Sequence, residues 1–282
     1  MAWKRFGYIC RKASVDYKEQ EKISTCLSRI ESEKSCDLYG SKIRIDSWPR
    51  KILDEIGNIQ DKQKALDIIE IYKGLNLVNQ FELPMRFKRV IGYLGFVTFF
   101  FCILVGIYQL KVAPSFLEVF ENFKISIPSH LLFYQEYWKH VVLVISVMLV
   151  FSFVIAFKMK KLFVFTVGIE NSFIVKFLMF RSVRESYQRI IEILRFPILF
   201  FSGAKKESDD QIVSHLQSIN KSKMCISKEM QELIEIEMQS ILENCERQMK
   251  LMSTVVALVV VVAIFFFLVS AYSPLSILGD IL

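Results

Sequence analysis

Three stretches of the chain are uncharged and mostly apolar, and they alternate with polar segments. The first, residues 90–110, has 21 such residues. A helix of that length rises about 30 Å, which matches the hydrocarbon core of a bilayer. The second, residues 141–157, has 17 and lies near the lower limit for a span. The third covers residues 251–272 and is rich in Val and Phe. These residues also favour strands, but length and lack of charge favour a helix in lipid.

The polar segments carry apolar residues at helical rather than strand spacing. In the first segment, Asp61 is a candidate N-cap, followed by Ala65, Ile68, Ile69 and Tyr72. In the segment 158–250 two apolar stripes occur. The first consists of Val183, Tyr187, Ile190, Ile191 and Leu194. The second consists of Met230, Leu233, Ile234, Met238, Ile241, Leu242, Cys245 and Met249.

The ends of the two stripes lead to further expectations. Pro197 is expected to end the first stripe, because proline lacks the amide proton that a helix needs. The second stripe is expected to continue into the third span. Between the two stripes, the polar residues 202–210 predict a solvated loop. The methionines of the second stripe suit either an adaptable groove or a helical core, and the spacing favours the core.

The expected fold is therefore all-α: a polytopic membrane protein with three transmembrane helices and two cytoplasmic helical-bundle lobes. Lobe 1 is assigned to residues 1–89, the first transmembrane helix to 90–110, and an external segment to 111–140. The second transmembrane helix is assigned to 141–157, lobe 2 to 158–250, and the third transmembrane helix to 251–272. Residues 273–282 are expected to form a short external C-terminus.

Basic residues next to the spans indicate the orientation of the chain. They precede the first span, follow the second and precede the third: Arg86, Lys88, Arg89, Lys158, Lys160, Lys161, Arg247 and Lys250. Since cytoplasmic flanks are enriched in Lys and Arg, the N-terminus is predicted to be cytoplasmic and the C-terminus external. The first residues contain no apolar run of the kind found in a cleaved signal peptide. A multi-pass membrane protein is therefore expected.

The net charge of +7 follows the same topology. Residues 1–90 carry 18 basic against 13 acidic residues, and residues 158–250 carry 15 against 12. Residues 111–140 carry three of each. A pI near 9.0 also occurs in nucleic-acid-binding proteins. Retention of the basic segments in the cytoplasm accounts for the excess, so no nucleic-acid partner is expected.

The sequence contains no recognisable catalytic apparatus. It has no phosphate-binding loop and no H-E-x-x-H pair, and His130, His140 and His215 are not at ligand spacing. The six cysteines form no C-x-x-C pair. No enzyme activity, cofactor or metal site is therefore predicted. The spans also lack Asp, Glu, Lys and Arg, which argues against transport through this chain alone.

The border and interior of the external segment carry the most specific pattern, a V-x-P-x-F…F run followed by Ile127-Pro128. This pattern resembles the type II secretion F-domain family, the inner-membrane platform proteins of type IV pilus and type II secretion machines. A basic approach to the first span and a proline-containing exit from the third also resemble that family. The matching residues are Tyr93, Val112, Pro114, Phe116, Phe120, Pro128 and Pro274. Pro114 and Pro128 either stiffen the external segment, or end the first span and shape a turn.

The resemblance implies a non-enzymatic role in which the chain couples a cytoplasmic assembly ATPase to the polymerisation of pilin or pseudopilin subunits. It also implies other inner-membrane assembly proteins as partners and a homo-oligomer in the lipid bilayer. The short chain favours a pilus, of the type IVb kind, over a secretion machine. A membrane scaffold or receptor that binds another cytoplasmic partner is the alternative, and a transporter subunit is a third.

Overall fold

A computed structural model describes residues 2–77, 86–122, 129–201, 211–222 and 224–281. Across these ranges the backbone is mostly helical, with one isolated antiparallel bridge between Ser47 and Thr166 and no named strand. The all-α prediction is confirmed. The expectations for Pro128 and residues 202–210 lie outside the described residues.

The structure contains twelve α-helices within the described residues. They are α1 (Ala2–Asp16), α2 (Ile23–Ser32), α3 (Lys34–Asp37), α4 (Trp48–Gly57), α5 (Lys62–Lys73), α6 (Arg86–Ile107), α7 (Ala113–Asn122), α8 (Ser129–Phe163), α9 (Phe173–Leu178), α10 (Arg181–Phe201), α11 (Gln211–Lys221) and α12 (Ile226–Ile281). A π-helical segment, Tyr108–Val112, joins α6 to α7, and a 3₁₀ turn, Ile169–Asn171, precedes α9.

The chain divides into two compact units. Met1–Leu83 and Lys158–Cys245 form the first, here called the helical domain. Pro84–Phe157 and Glu246–Leu282 form the second, here called the membrane unit. The two polar segments expected to be separate lobes thus contribute to one helical domain. The reason is long-range packing, since α10 contacts both α4 and α5.

In the helical domain, the predicted helix cap and the predicted buried stripes are found where the sequence indicates them. The Asp61 carboxylate accepts hydrogen bonds from the backbone amides of Gln63 and Lys64, which confirms it as the N-cap of α5. Most residues of both predicted stripes are buried. Ile191, Leu233 and Leu242, at the edges of those stripes, are half-buried. The second stripe lies on α12, which continues without a break through residues 251–272, as predicted.

The prediction that Pro197 ends a helix is wrong. Pro197 lies inside α10, which continues to Phe201. Proline removes one backbone hydrogen bond from the turn that contains it. Here Pro197 itself is buried, as are Phe196 and Ile198 on either side. Their burial holds the last turn of α10 in place despite the missing donor, because packing outweighs a local preference for termination.

The chain also stays helical beyond the limits expected for the first span. After α6 it forms the π-helical segment, in which the Ala113 amide donates to the carbonyl of Tyr108, five residues earlier. Pro114, the second residue of α7, has no amide to donate. The wider π turn directly before it accommodates this missing hydrogen bond, so the chain remains helical past the proline.

Candidate functional site: the helical domain and the membrane unit

The helical domain is held together by a contact between its two sequence segments. Phe165, in the connection after α8, accepts a hydrogen bond from the Trp48 amide at 2.9 Å. The Val167 amide donates to the carbonyl of Asp46 at 2.8 Å. The Phe165 ring is buried against Trp3, with 5.8 Å between ring centroids, and stacks on Tyr187 at 5.5 Å. Residues far apart in sequence are therefore joined by backbone and side chain at one place.

Phe165 adopts an unusual backbone conformation at this contact. Its φ is +55°, in the left-handed region that a bulky residue rarely adopts. Such a conformation costs free energy and persists only where surrounding contacts require it. The two backbone hydrogen bonds and the three-ring cluster provide those contacts. Sequence reasoning missed Phe165, because nothing in the local pattern signals a left-handed phenylalanine.

Two tyrosines and an ion pair extend the same interface. The Tyr72 hydroxyl donates to the carbonyl of Leu194, and burial raises the pKa of Tyr72 well above its usual value. Burial, and then the nearby Glu170 carboxylate, raise the pKa of Tyr187. Both phenols therefore stay neutral and serve as hydrogen-bonding groups. Arg195 and Glu55 form an ion pair at 3.3 Å across the same interface.

Arg5 is a buried cation that sequence reasoning also missed. It is 1% exposed and donates to the carboxylate of Asp37 and to the carbonyls of Gly40 and Glu31, at 2.8–2.9 Å. A guanidinium suits this position because its fixed fork of donors reaches several acceptors at once. A signal did exist, since Arg5 falls on the face of α1 that carries Ile9.

The end of α5 lies against the beginning of α12 within the helical domain. A Cβ added at Gly74 would come within 2.8 Å of the Ser227 side chain, so only glycine allows this approach. The Asn76 amide donates to the side-chain oxygen of Gln231 at 3.2 Å. The first sequence segment is thus fixed to the helix that later becomes the third apolar stretch.

The membrane unit is built from three helices that are long and apolar enough to cross a membrane. Its buried core joins α6, α8 and α12, through Phe101, Val105, Ile145, Val256, Val260 and Ala263. A groove of about 550 Å³ lies beside this core and is lined almost wholly by apolar and aromatic side chains, among them Tyr137 and Leu258. Such a groove accepts an acyl chain or an apolar helix surface.

A second, smaller contact lies near the far end of α12. The Tyr108 hydroxyl, in the π-helical segment, donates to the carbonyl of Ser270 at 3.2 Å. The Tyr108 ring meets Phe267 edge-on with 5.1 Å between centroids. The contact fixes the π-helical segment against α12, next to the residues that carry the family resemblance.

The predicted family residues are dispersed in the structure. Tyr93 is exposed on α6, and Val112 is exposed at the end of the π-helical segment. On α7, Pro114 is exposed and Phe116 is half-buried. Phe120 is fully buried, and Pro274 lies within α12. The structure does not bring these residues together into one pocket among those it describes.

The predicted basic flanks lie on helices at the limits of the apolar stretches. Arg86, Lys88 and Arg89 belong to the first turn of α6. Lys160 and Lys161 are exposed near the end of α8, and Lys158 donates to the Ser172 hydroxyl at 3.2 Å. Arg247 and Lys250 are exposed on α12.

The described part of the chain offers no group of His, Cys, Asp and Glu that could hold a metal ion. The six cysteines are free thiols, and burial raises the pKa of Cys10 to about 12.

The helical backbone and the three long apolar helices define a polytopic all-α membrane protein. No protein-family model, no curated protein and no solved structure matches the chain. The resemblance to the type II secretion F-domain family therefore rests only on the residues of this sequence named above.

Proposed function

We propose that this chain is the inner-membrane platform protein of a type IV pilus, or of a type II secretion machine. It would couple a cytoplasmic assembly ATPase to the polymerisation of pilin or pseudopilin subunits. The observation that carries the proposal is that the segments before the first apolar helix and after the second form one helical domain. A domain built this way requires both segments to lie on the same side of the membrane, as in a platform.

The continuity of α12 supports a mechanical role. This helix begins in the helical domain, where Ser227 and Gln231 contact the end of α5. The same helix continues through the third apolar stretch. A movement imposed on the helical domain by a motor would therefore be passed into the bilayer by a rigid element. The chain would transmit energy supplied elsewhere and would perform no chemistry itself.

The first test is deletion of the gene, followed by electron microscopy of surface fibres and assays of secretion. Loss of fibres or of secretion, restored by the wild-type gene, is the expected result. Co-purification of the full-length protein with an assembly ATPase is expected as well. Unchanged piliation and secretion would contradict the platform role and favour a scaffold or receptor for a different cytoplasmic partner.

A variant of the α5–α12 contact tests the mechanical role separately. Gly74→Ala places a methyl group against Ser227 and is expected to reduce fibre number several-fold at normal protein abundance. Adding Ser227→Gly removes the opposing side chain and is expected to restore the fibres. Equal fibre numbers in the wild type, the single variant and the double variant would show that this contact does not transmit movement.

Cysteine labelling tests the proposed orientation. Cys225 is exposed in the helical domain, whereas Cys10 is buried with a raised pKa and should not react. A membrane-impermeant maleimide is expected to label Cys225 only after spheroplasts are lysed. In a Cys225→Ser background, Glu118→Cys on α7 is expected to react in intact spheroplasts. The reverse pattern would place the helical domain outside the cell.

A further inference from the structure

The short helix α9 presents an aromatic and basic surface that the packing of the helical domain does not use. Phe173 is 70% exposed and Phe177 is 65% exposed, and their ring centroids are 4.6 Å apart. The opposite face is anchored by Val175, which is 1% exposed. Single exposed apolar residues are ordinary, but two adjacent phenylalanines on an anchored helix form a patch.

The position of α9 is fixed close to the end of an apolar helix. Lys158 is the first residue after the apolar stretch of α8, and its ammonium group donates to the Ser172 hydroxyl at 3.2 Å. Ser172 directly precedes α9. Because α9 has six residues, it is only about 9 Å long. Ser172 and the start of α9 therefore lie beside the part of α8 that directly follows its apolar stretch.

The charged residues around the patch are mostly basic. Residues 158–185 carry six Lys and Arg against two Glu. One of the two acids, Glu185, is paired with Arg181. Lys176 extends from α9 with its ammonium group 6.0 Å from the Phe177 ring. Aromatic side chains with adjacent basic groups are typical of protein segments that lie in the headgroup region of a membrane.

We infer that α9 is an in-plane membrane anchor: Phe173 and Phe177 insert at the headgroup level, while Lys160 and Lys176 bind the phosphates of anionic phospholipid. The patch is apolar where it would meet acyl chains and cationic where it would meet phosphate, which matches the surface of an anionic leaflet. The inference depends on α8 crossing the membrane and is independent of the platform function.

Site-specific photo-crosslinking in nanodiscs tests this anchor. The photoreactive analogue p-benzoylphenylalanine is incorporated in place of Phe173 or Phe177 in the full-length protein. Ile236 is the matched control, because it is 63% exposed on α12 and lies about 22 Å along that helix from Leu251. Nanodiscs contain phosphatidylcholine alone, or an equal mixture with phosphatidylglycerol. Adducts are identified by mass spectrometry.

Phospholipid adducts are expected at positions 173 and 177 and not at 236, with a yield at least about threefold higher when phosphatidylglycerol is present. Lys160→Gln with Lys176→Gln is expected to abolish that increase. Lys228→Gln, on an exposed part of α12, is expected to leave it unchanged. Adducts to a second copy of the chain or to another protein at 173 and 177 would overturn the inference. Equal lipid yields at 173 and 236 would overturn it too.

Discussion

Replacing Phe165 with alanine is expected to lower the free energy of unfolding of the helical domain by about 3–5 kcal/mol. The ring is 1% exposed and packs against Trp3 and Tyr187, so its removal leaves a cavity where the two sequence segments meet. Urea unfolding of the detergent-solubilised protein, followed by tryptophan fluorescence, measures the loss directly because Trp3 lies beside the cavity. Ile45→Ala, at a position 92% exposed, is expected to change stability by less than about 0.5 kcal/mol.

Glycine at the same position separates the backbone conformation from the packing. At an ordinary position glycine is less stable than alanine by about 0.5–1 kcal/mol. At a positive φ the order reverses, since alanine meets the steric cost of the left-handed region and glycine does not. Phe165→Gly is therefore expected to be as stable as Phe165→Ala or more so. A glycine variant less stable than the alanine variant by about 1 kcal/mol would contradict the left-handed conformation.

Arg5→Ala is expected to destabilise the helical domain by about 2–4 kcal/mol, because it removes a buried side chain and its hydrogen bonds. The change removes three hydrogen bonds and leaves the carbonyls of Glu31 and Gly40 facing a cavity. The damage should be local at first, because these bonds fix residues 31–40 to α1. Hydrogen exchange measured by mass spectrometry is expected to show faster exchange in that segment before the rest of the domain.

Two comparisons identify the source of the Arg5 effect. Arg5→Lys keeps the charge but cannot reproduce the fork of donors, so it is expected to recover only part of the lost stability. Arg44, which pairs with Asp46 at 2.8 Å, is 66% exposed. Arg44→Ala is expected to cost less than about 1 kcal/mol, as surface ion pairs do. Equal losses for Arg5→Ala and Arg44→Ala would show that burial of Arg5 has no energetic consequence.

Much of the fold could be predicted because it depends on near neighbours in the sequence. Charge-free runs identify helices that need a lipid environment, and a spacing of three to four residues identifies a buried helix face. Asp61 could be recognised as a cap because its partners are two and three residues away. Pro197 was misread by the same reasoning, since a local rule for proline says nothing of the packing around it.

The candidate site was less accessible to sequence reasoning. The resemblance to platform proteins rests on residues such as Pro114, which is exposed, and Phe120, which is buried. The contacts that organise the helical domain involve Phe165, Arg5 and Gly74 instead. Of these, only Arg5 was detectable in advance, from its position on the buried face of α1.

The sequence by itself determined that this is an all-α membrane protein with three apolar helices and basic flanks. Only the tertiary structure decided that the segment before the first apolar helix and the segment after the second form one domain. The bridge between Ser47 and Thr166 and the hydrogen bond from Tyr72 to Leu194 join positions far apart in the chain. Hydrophobic periodicity reports which face of a helix is buried. The partner against which it is buried depends on complementary shape and hydrogen bonding between distant segments, and that pairing leaves no local pattern.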